Sequence, residues 1–144
     1  MALLPNPKSA KYDKRGNLIY KAFFDETGNP TTHSQYGFHK LTQKFDEQNN
    51  FMEFAVFDIV GNPTTYKDGY HKYTRKIEGK GSQIEWAYLD VMDKPTIPNH
   101  VSYHKLVKKF DELGVDIEWA YFDAAGNLTK KYDREGNLVE QPLR

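Results

Sequence analysis

Ala55-Val56-Phe57-Asp58-Ile59-Val60-Gly61-Asn62-Pro63 is the stretch that decides the architecture, because the chain repeats its pattern. It matches Ala22-Phe23-Phe24-Asp25-Glu26-Thr27-Gly28-Asn29-Pro30, and the pattern returns at Ala87-Tyr88-Leu89-Asp90 and Ala120-Tyr121-Phe122-Asp123. The leading alanines stand at 22, 55, 87 and 120, at spacings of 33, 32 and 33 residues. A period of that length describes a stacked array of one small unit, not a globule around a single catalytic cleft.

A shorter pattern is nested inside the first: an acidic residue, two variable residues, then Gly or a residue that tolerates positive φ. It occurs at Asp13–Gly16, Asp25–Gly28, Asp46–Asn49, Asp58–Gly61, Glu78–Gly81, Asp90–Asp93, Asp111–Gly114, Asp123–Gly126 and Asp133–Gly136. This is type I turn chemistry, with a side chain accepting backbone N–H groups and a left-handed closing residue. Asn49 and Asp93 replace Gly with residues that tolerate that conformation. The turn starts are 12, 21, 12, 20, 12, 21, 12 and 10 residues apart, which leaves room for strands and almost none for helices.

Each unit therefore reads as two strands, such as 69–77 and 83–89. A Pro- and Thr-bearing link such as 62–68 joins one unit to the next, and its proline keeps it out of a central ladder. The expected fold is all-β: tandem β-hairpin repeats forming an antiparallel, twisted or coiled, solenoid-like sheet. One repeat domain is expected over 1–144. It has a half-unit at about 11–21, units at about 22–54, 55–86 and 87–119, and a terminal half-unit at about 120–140.

The corners predict a register in which each acidic residue faces the residue after the Gly. Counting outward places Arg75 opposite Glu85, Lys108 opposite Glu118 and Gln43 opposite Glu53. It also places Lys72 against Tyr88, Lys105 against Tyr121, Thr74 against Trp86 and Val107 against Trp119. One face is then expected to carry Leu41, Tyr73 and Leu106 over Ala55, Ala87 and Ala120, flanked by Phe57, Leu89 and Phe122. The other is expected to carry Met52, Ile84 and Ile117 beside Phe54, Trp86 and Trp119. Two apolar faces would leave large patches in water, so the links should fold over one side or a second chain should cover it.

Composition narrows the functions. Twenty basic and twenty acidic residues cancel, so no global positive field holds a phosphate backbone, and nucleic-acid binding is not expected. Aromatic content is 15%, with ten Tyr and nine Phe, which suits thin β layers. Mean hydropathy is −0.80. With no cysteine, neither disulfides nor thiolate ligands are available. Met1-Ala2-Leu3-Leu4-Pro5 has no basic region followed by an apolar run, so no signal peptide is expected. No segment is long enough for a bilayer-spanning helix, and no membrane partner is expected. A cytoplasmic location is the default expectation unless the chain is a fragment.

His39, His71 and His104 recur at one position, but a shared zinc needs ring nitrogens about 2.0–2.1 Å from the ion. Equivalent strands of a two-strand repeat are about 9–10 Å apart. Packing against Phe57, Leu89 and Phe122 is the expected role, and no metal or other cofactor is expected. The acidic residues read as turn initiators, and Glu53, Glu85 and Glu118 as cross-strand partners. An Asp-x-x-Gly loop supplies one carboxylate where hard cations want several oxygens. No nucleophile-elbow serine or phosphate-cradling Gly loop appears, so no enzymatic activity is expected.

The feature with most functional promise is a ladder of Phe54, Trp86 and Trp119 with Tyr88, Tyr121, Lys72 and Lys105, taken to recur along one surface. Such platforms suit an extended peptide, a sugar or a quaternary ammonium group, and they also suit the core of a thin sheet.

Tyr12-Asp13-Lys14-Arg15-Gly16-Asn17-Leu18 and Tyr132-Asp133-Arg134-Glu135-Gly136-Asn137-Leu138 resemble the YD repeats of bacterial Rhs-type proteins. The resemblance covers about residues 11 to 140 and implies β-hairpin repetition with no catalytic residue. Rhs-type arrays are much longer and wall in a toxin, whereas this chain is too short to enclose anything. The functional expectation is a non-enzymatic repeat module for protein or peptide interaction, or a structural spacer. The alternative is a carbohydrate- or choline-type ligand module. Edge strands could also pair with a second copy as a homodimer.

Overall fold

The local chemistry of the corners builds the sheet. In the computed structural model, which describes residues 9–141, the strands are β1 (Ala10–Tyr12), β2 (Leu18–Ala22), β3 (Lys40–Phe45), β4 (Phe51–Phe57) and β5 (Lys72–Glu78). They continue as β6 (Gln83–Leu89), β7 (Lys105–Phe110), β8 (Asp116–Phe122), β9 (Leu128–Asp133) and β10 (Leu138–Glu140). All ten lie in one sheet in chain order, each antiparallel to its neighbours. No α-helix occurs among the described residues. The sheet is open, with β1 and β10 at its edges, and each edge strand is only three residues long. The leader reading at Met1–Pro5 lies outside the described residues.

The corners form as their residues demand. The amides of Arg15 and Asn17 both donate to Asp13 Oδ1 at 2.9 Å, and the amide of Gly16 donates to the Asp13 carbonyl. The same pair of side-chain acceptances recurs at Asp25, Asp46, Asp90, Asp111, Asp123 and Asp133. The closing residues are left-handed, including the non-glycines Asn49 (φ 70) and Asp93 (φ 59). Glu78 departs from the pattern. Its longer side chain pairs with Lys76 Nζ at 3.1 Å and accepts from Gln83 Nε2, so the corner closes instead as a 3₁₀ turn over Gly79–Gly81.

The register differs from the sequence expectation by one residue. The corner itself behaves as expected, with the amide of Asp46 donating to the carbonyl of Asn50. Beyond it Phe45 pairs with Phe51 while Lys44 pairs with Glu53, so Met52 is left over as a bulge. Ile19, Ile117, Thr129 and Val139 are passed over in the same way. The β5–β6 hairpin reaches the equivalent register without a bulge, through its longer turn. Lys76 rather than Arg75 therefore faces Glu85, Lys109 rather than Lys108 faces Glu118, and Lys44 rather than Gln43 faces Glu53. Lys72 faces Leu89, Lys105 faces Phe122, Thr74 faces Ala87 and Val107 faces Ala120.

Because side chains alternate along a strand, a one-residue slip reassigns the faces. Leu41, Tyr73 and Leu106 share a face with Phe54, Trp86 and Trp119, joined by Tyr88 and Tyr121. This is the aromatic face. Ala55, Ala87 and Ala120 lie on the opposite, ionic face with Phe57, Leu89 and Phe122. The glutamates are there too, as cross-strand partners: Glu53 reaches Lys44 at 3.5 Å, and Glu118 bridges Lys109 at 3.3 Å and Lys131 at 3.4 Å.

The links leave the ladder where proline demands. Pro30, Pro63 and Pro95 each make a single bridge to Phe24, Phe57 and Leu89. The amides of Thr31, Thr64 and Thr96 then donate to the carbonyls of Phe23, Val56 and Tyr88. The links fold over one side of the sheet, the aromatic face. Leu128 stands where the prolines stand in earlier units, so the chain runs on as β9. Here the Thr129 hydroxyl donates to the Tyr121 carbonyl at 3.1 Å.

The histidines anchor the links. The amides of His39, His71 and His104 donate to the carbonyls of Phe57, Leu89 and Phe122. The rings of His39 and His71 reach back one unit instead, edge-on to Phe24 at 5.6 Å and Phe57 at 5.4 Å. Their Nδ1 atoms meet the carbonyls of Thr31 and Thr64, which requires the proton on Nδ1. The Nδ1 of His104 is buried without a partner among the described residues.

Candidate functional site

The links divide the aromatic face in two. Phe54 lies under Phe38, Tyr66 and Tyr70, at centroid distances of 6.5, 5.8 and 6.4 Å. Tyr88 lies under Tyr70 at 5.0 Å, His100 at 5.7 Å and Tyr103 at 6.3 Å. Tyr121 contacts Tyr103 at 5.0 Å. Three of the five aromatic candidates are thus part of the packed layer. Burial, reinforced by neighbouring phenols, pushes the Tyr88 hydroxyl up to about 12 and also raises Tyr70. Tyr73, Tyr103 and Tyr121 shift in the same direction, with burial the main cause.

Trp86 and Trp119 sit in the other half, towards the β3–β4, β5–β6 and β7–β8 corners. Both are partly buried, and no link ring stacks on either among the described residues. Cations flank Trp86 instead, with the Arg75 guanidinium 5.9 Å and Lys108 Nζ 5.6 Å from its centroid. Arg75 faces Trp86 from β5, while Lys108 on β7 is directly opposite Trp119. The Nε of Arg75 is buried with no partner among the described residues. Phe51 and Tyr73, stacked at 5.9 Å, extend the same half-face towards β4.

Lys72 and Lys105 do not join this surface. Lys72 lies on the ionic face between Asp93 at 3.1 Å and Glu53 at 4.0 Å. Lys105 pairs with Glu85 at 3.6 Å, and its Nζ is 4.7 Å from the Phe122 centroid. The single surface expected from the sequence is thus two surfaces, separated by the thickness of the sheet. The same slip hid Arg75 and Lys108, which the corner count had assigned to glutamates. A signal for the bulges does exist: each passed-over residue comes three positions after the left-handed one.

What the open half-face can do follows from its groups. Guanidinium and ammonium donors lie against indole faces, with Asp116 at the corner end of β8 as the carboxylate on that side. Among the described residues no group of three His, Asp or Glu side chains is placed to hold a metal ion. No helix among them is long and apolar enough to cross a membrane. No protein-family model matches the chain, and no curated protein matches it.

Proposed function

We propose that the chain is a non-enzymatic recognition module whose open aromatic half-face holds an extended, acidic polypeptide segment. The observation that carries this reading is the separation of charge between the faces. Glu53, Glu85 and Glu118 are on the ionic face, already paired with lysines. Arg75 and Lys108 share the other face with Trp86 and Trp119 and have no carboxylate across the strand from them. Such a surface attracts carboxylates while its indoles take apolar side chains. Trp86 and Trp119 lie two strands apart, about 9–10 Å, which an extended peptide crossing the strands spans in about three residues.

The same groups rank the rival ligands lower. Quaternary ammonium recognition needs an aromatic cage free of cations, and two cations already occupy the surroundings of Trp86. Sugar hydroxyls call for acceptors as well as donors, and this half-face presents mostly donors. The test is a tryptophan-fluorescence titration with a glutamate- and tyrosine-rich peptide, beside a lysine-rich control and a glycan array. A saturable change that weakens with salt and disappears in Arg75→Gln and Trp86→Ala is the expected result. Glycan hits abolished by Trp86 or Trp119 replacement, with no peptide response, would overturn it.

A further inference from the structure

A groove of about 1070 Å³ runs beside β9, between the last link and the sheet, lined by Val101, Ser102, Tyr103, Thr129, Lys130 and Gln141 among others. Tyr132 already meets Tyr121 edge-on there, at 6.0 Å and 88°. The volume suits a chain segment rather than one side chain. Elsewhere in the array each link rests on the one before it. Tyr66 of the second link contacts Tyr36 and Phe38 of the first at 6.3 and 6.0 Å. In the third, Pro98 is fully buried, and the amide of Asn99 donates to the Asp68 carbonyl of the second at 2.7 Å. Val101, Ser102 and Tyr103 are the counterparts of Asp68, Gly69 and Tyr70, the three residues before the repeat histidine. After β8 the chain turns straight into β9, so no link rests on them. The Val101 carbonyl accepts no hydrogen bond among the described residues.

The edges of the sheet point to the occupant. Ten strands alternating in direction leave β1 antiparallel to β10, so a second copy in the same orientation can set its β1 on β10 and continue the ladder. That junction joins edges carrying Lys11 and Glu140, whereas a two-fold pairing joins like edges. Ser9, whose carbonyl takes the Ala22 amide, then lies beside Gln141 on the rim of the groove. Ahead of it, outside the described residues, the chain reads Leu3-Leu4-Pro5-Asn6-Pro7-Lys8. Leu4-Pro5-Asn6 repeats the pattern of Ile97-Pro98-Asn99, and Asn6-Pro7 that of Asn29-Pro30 and Asn62-Pro63, all in links.

We infer that the chain associates head to tail: β1 of a second copy pairs with β10, and that copy's residues 1–8 lie in the groove as a link would. From the incoming β1 to β8 is three strand spacings, about 14 Å, which Leu4 to Ser9 spans at about 3.3 Å per residue. Leu4 and Pro5 rest on Val101 and Ser102 as Ile97 and Pro98 rest on the second link, and the Val101 carbonyl receives an amide of the segment. Within one copy the same place is seven spacings from β1, about 33 Å along the sheet, beyond the reach of eight residues. The contact joins two different surfaces, so it does not close, and every junction leaves one free edge at each end. It uses neither Arg75 nor Trp86 and stands apart from the peptide-binding reading.

The test is sedimentation velocity over a concentration series, on the whole chain and two variants. Leu4→Asp spoils the segment and leaves the groove intact. Ser102→Trp, at an exposed lining position, fills the groove and leaves the segment intact. The unaltered chain should grow past the dimer as concentration rises, and each variant alone should stay monomeric with an unchanged circular dichroism spectrum. Mixed, the two variants should form a 1:1 dimer and nothing larger, because one intact segment meets one intact groove. A synthetic peptide of residues 1–9 should reverse the association of the unaltered chain, and a scrambled peptide should not. An unaltered chain that stays monomeric or stops at a dimer, variants that associate like it, a mixture that stays monomeric, or equal action of the two peptides overturns the inference.

Discussion

Arg75 stands directly across from Trp86, its guanidinium carbon 5.9 Å from the ring centroid, although its neighbour Lys76 is the residue that faces Glu85. One bulge-equivalent residue in the hairpin turned a cross-strand ion-pair position into a cation–π contact on the opposite face. Replacing Arg75 with Gln removes that contact and the guanidinium whose Nε is buried. The expected loss is about 0.5–1 kcal/mol of stability, read as a lower urea midpoint with unchanged slope. A midpoint unchanged by the substitution would show that the contact contributes nothing.

Substitution at the corners should follow φ rather than space. Gly114 has φ +81, and a Cβ there would meet nothing within 4 Å, so Gly114→Ala is a purely conformational test. It should cost about 1–2 kcal/mol. Asn49→Gly should go the other way and raise the thermal midpoint, because Asn49 already sits at φ 70. Gly69→Ala should be worse than Gly114→Ala, since its Cβ would come within 2.9 Å of Asn99 Oδ1.

Acid should loosen the corners first. Donation from the chain's own groups holds Asp13, Asp46, Asp90 and Asp111 below their ordinary value, led in each by the amide four residues on; at Asp25 the Thr27 hydroxyl leads. Their folded-state values are lowered, so their contribution is complete above the unfolded value near 3.9. It is lost as pH falls through the native values. Thermal midpoints should therefore be flat down to about pH 5 and then decline. Asp111→Asn, which keeps an acceptor but cannot titrate, should flatten part of that decline.

The alkaline limb has a different origin. Burial raises Tyr88 to about 12 and shifts Tyr70, Tyr73, Tyr103 and Tyr121 the same way. A raised folded-state value means full stability below the unfolded value near 10 and loss as pH rises through the native one. Ultraviolet tyrosine titration should show these phenols ionising late, together with unfolding. Tyr88→Phe should shift the alkaline transition upward. Ionisation of every tyrosine near pH 10 with the sheet intact would contradict the packed aromatic layer.

The corners, the antiparallel order and the exit of the links at proline were legible in the residues themselves. Each depends on bonds made within about five residues, such as Asp13 Oδ1 to the amides of Arg15 and Asn17. Local chemistry of that kind writes itself into residue type. The aromatic residues Phe54, Trp86, Trp119, Tyr88 and Tyr121 share one face because they alternate along strands paired in this register.

Which partner each strand residue meets was not legible from the corners alone, because Met52, Ile117 and Thr129 are bulged only once two strands are held against their neighbours. That extra residue reverses the alternation along the partner strand. Together with the longer β5–β6 turn, it sent Lys105 and Lys72 to the ionic face and brought Lys108 and Arg75 to the tryptophans. Sequence alone determined that hairpins repeat and where they turn, since turning is a short-range matter of capping and φ. Only the assembled sheet decided which side chains share a surface, since pairing register is a property of two strands at once.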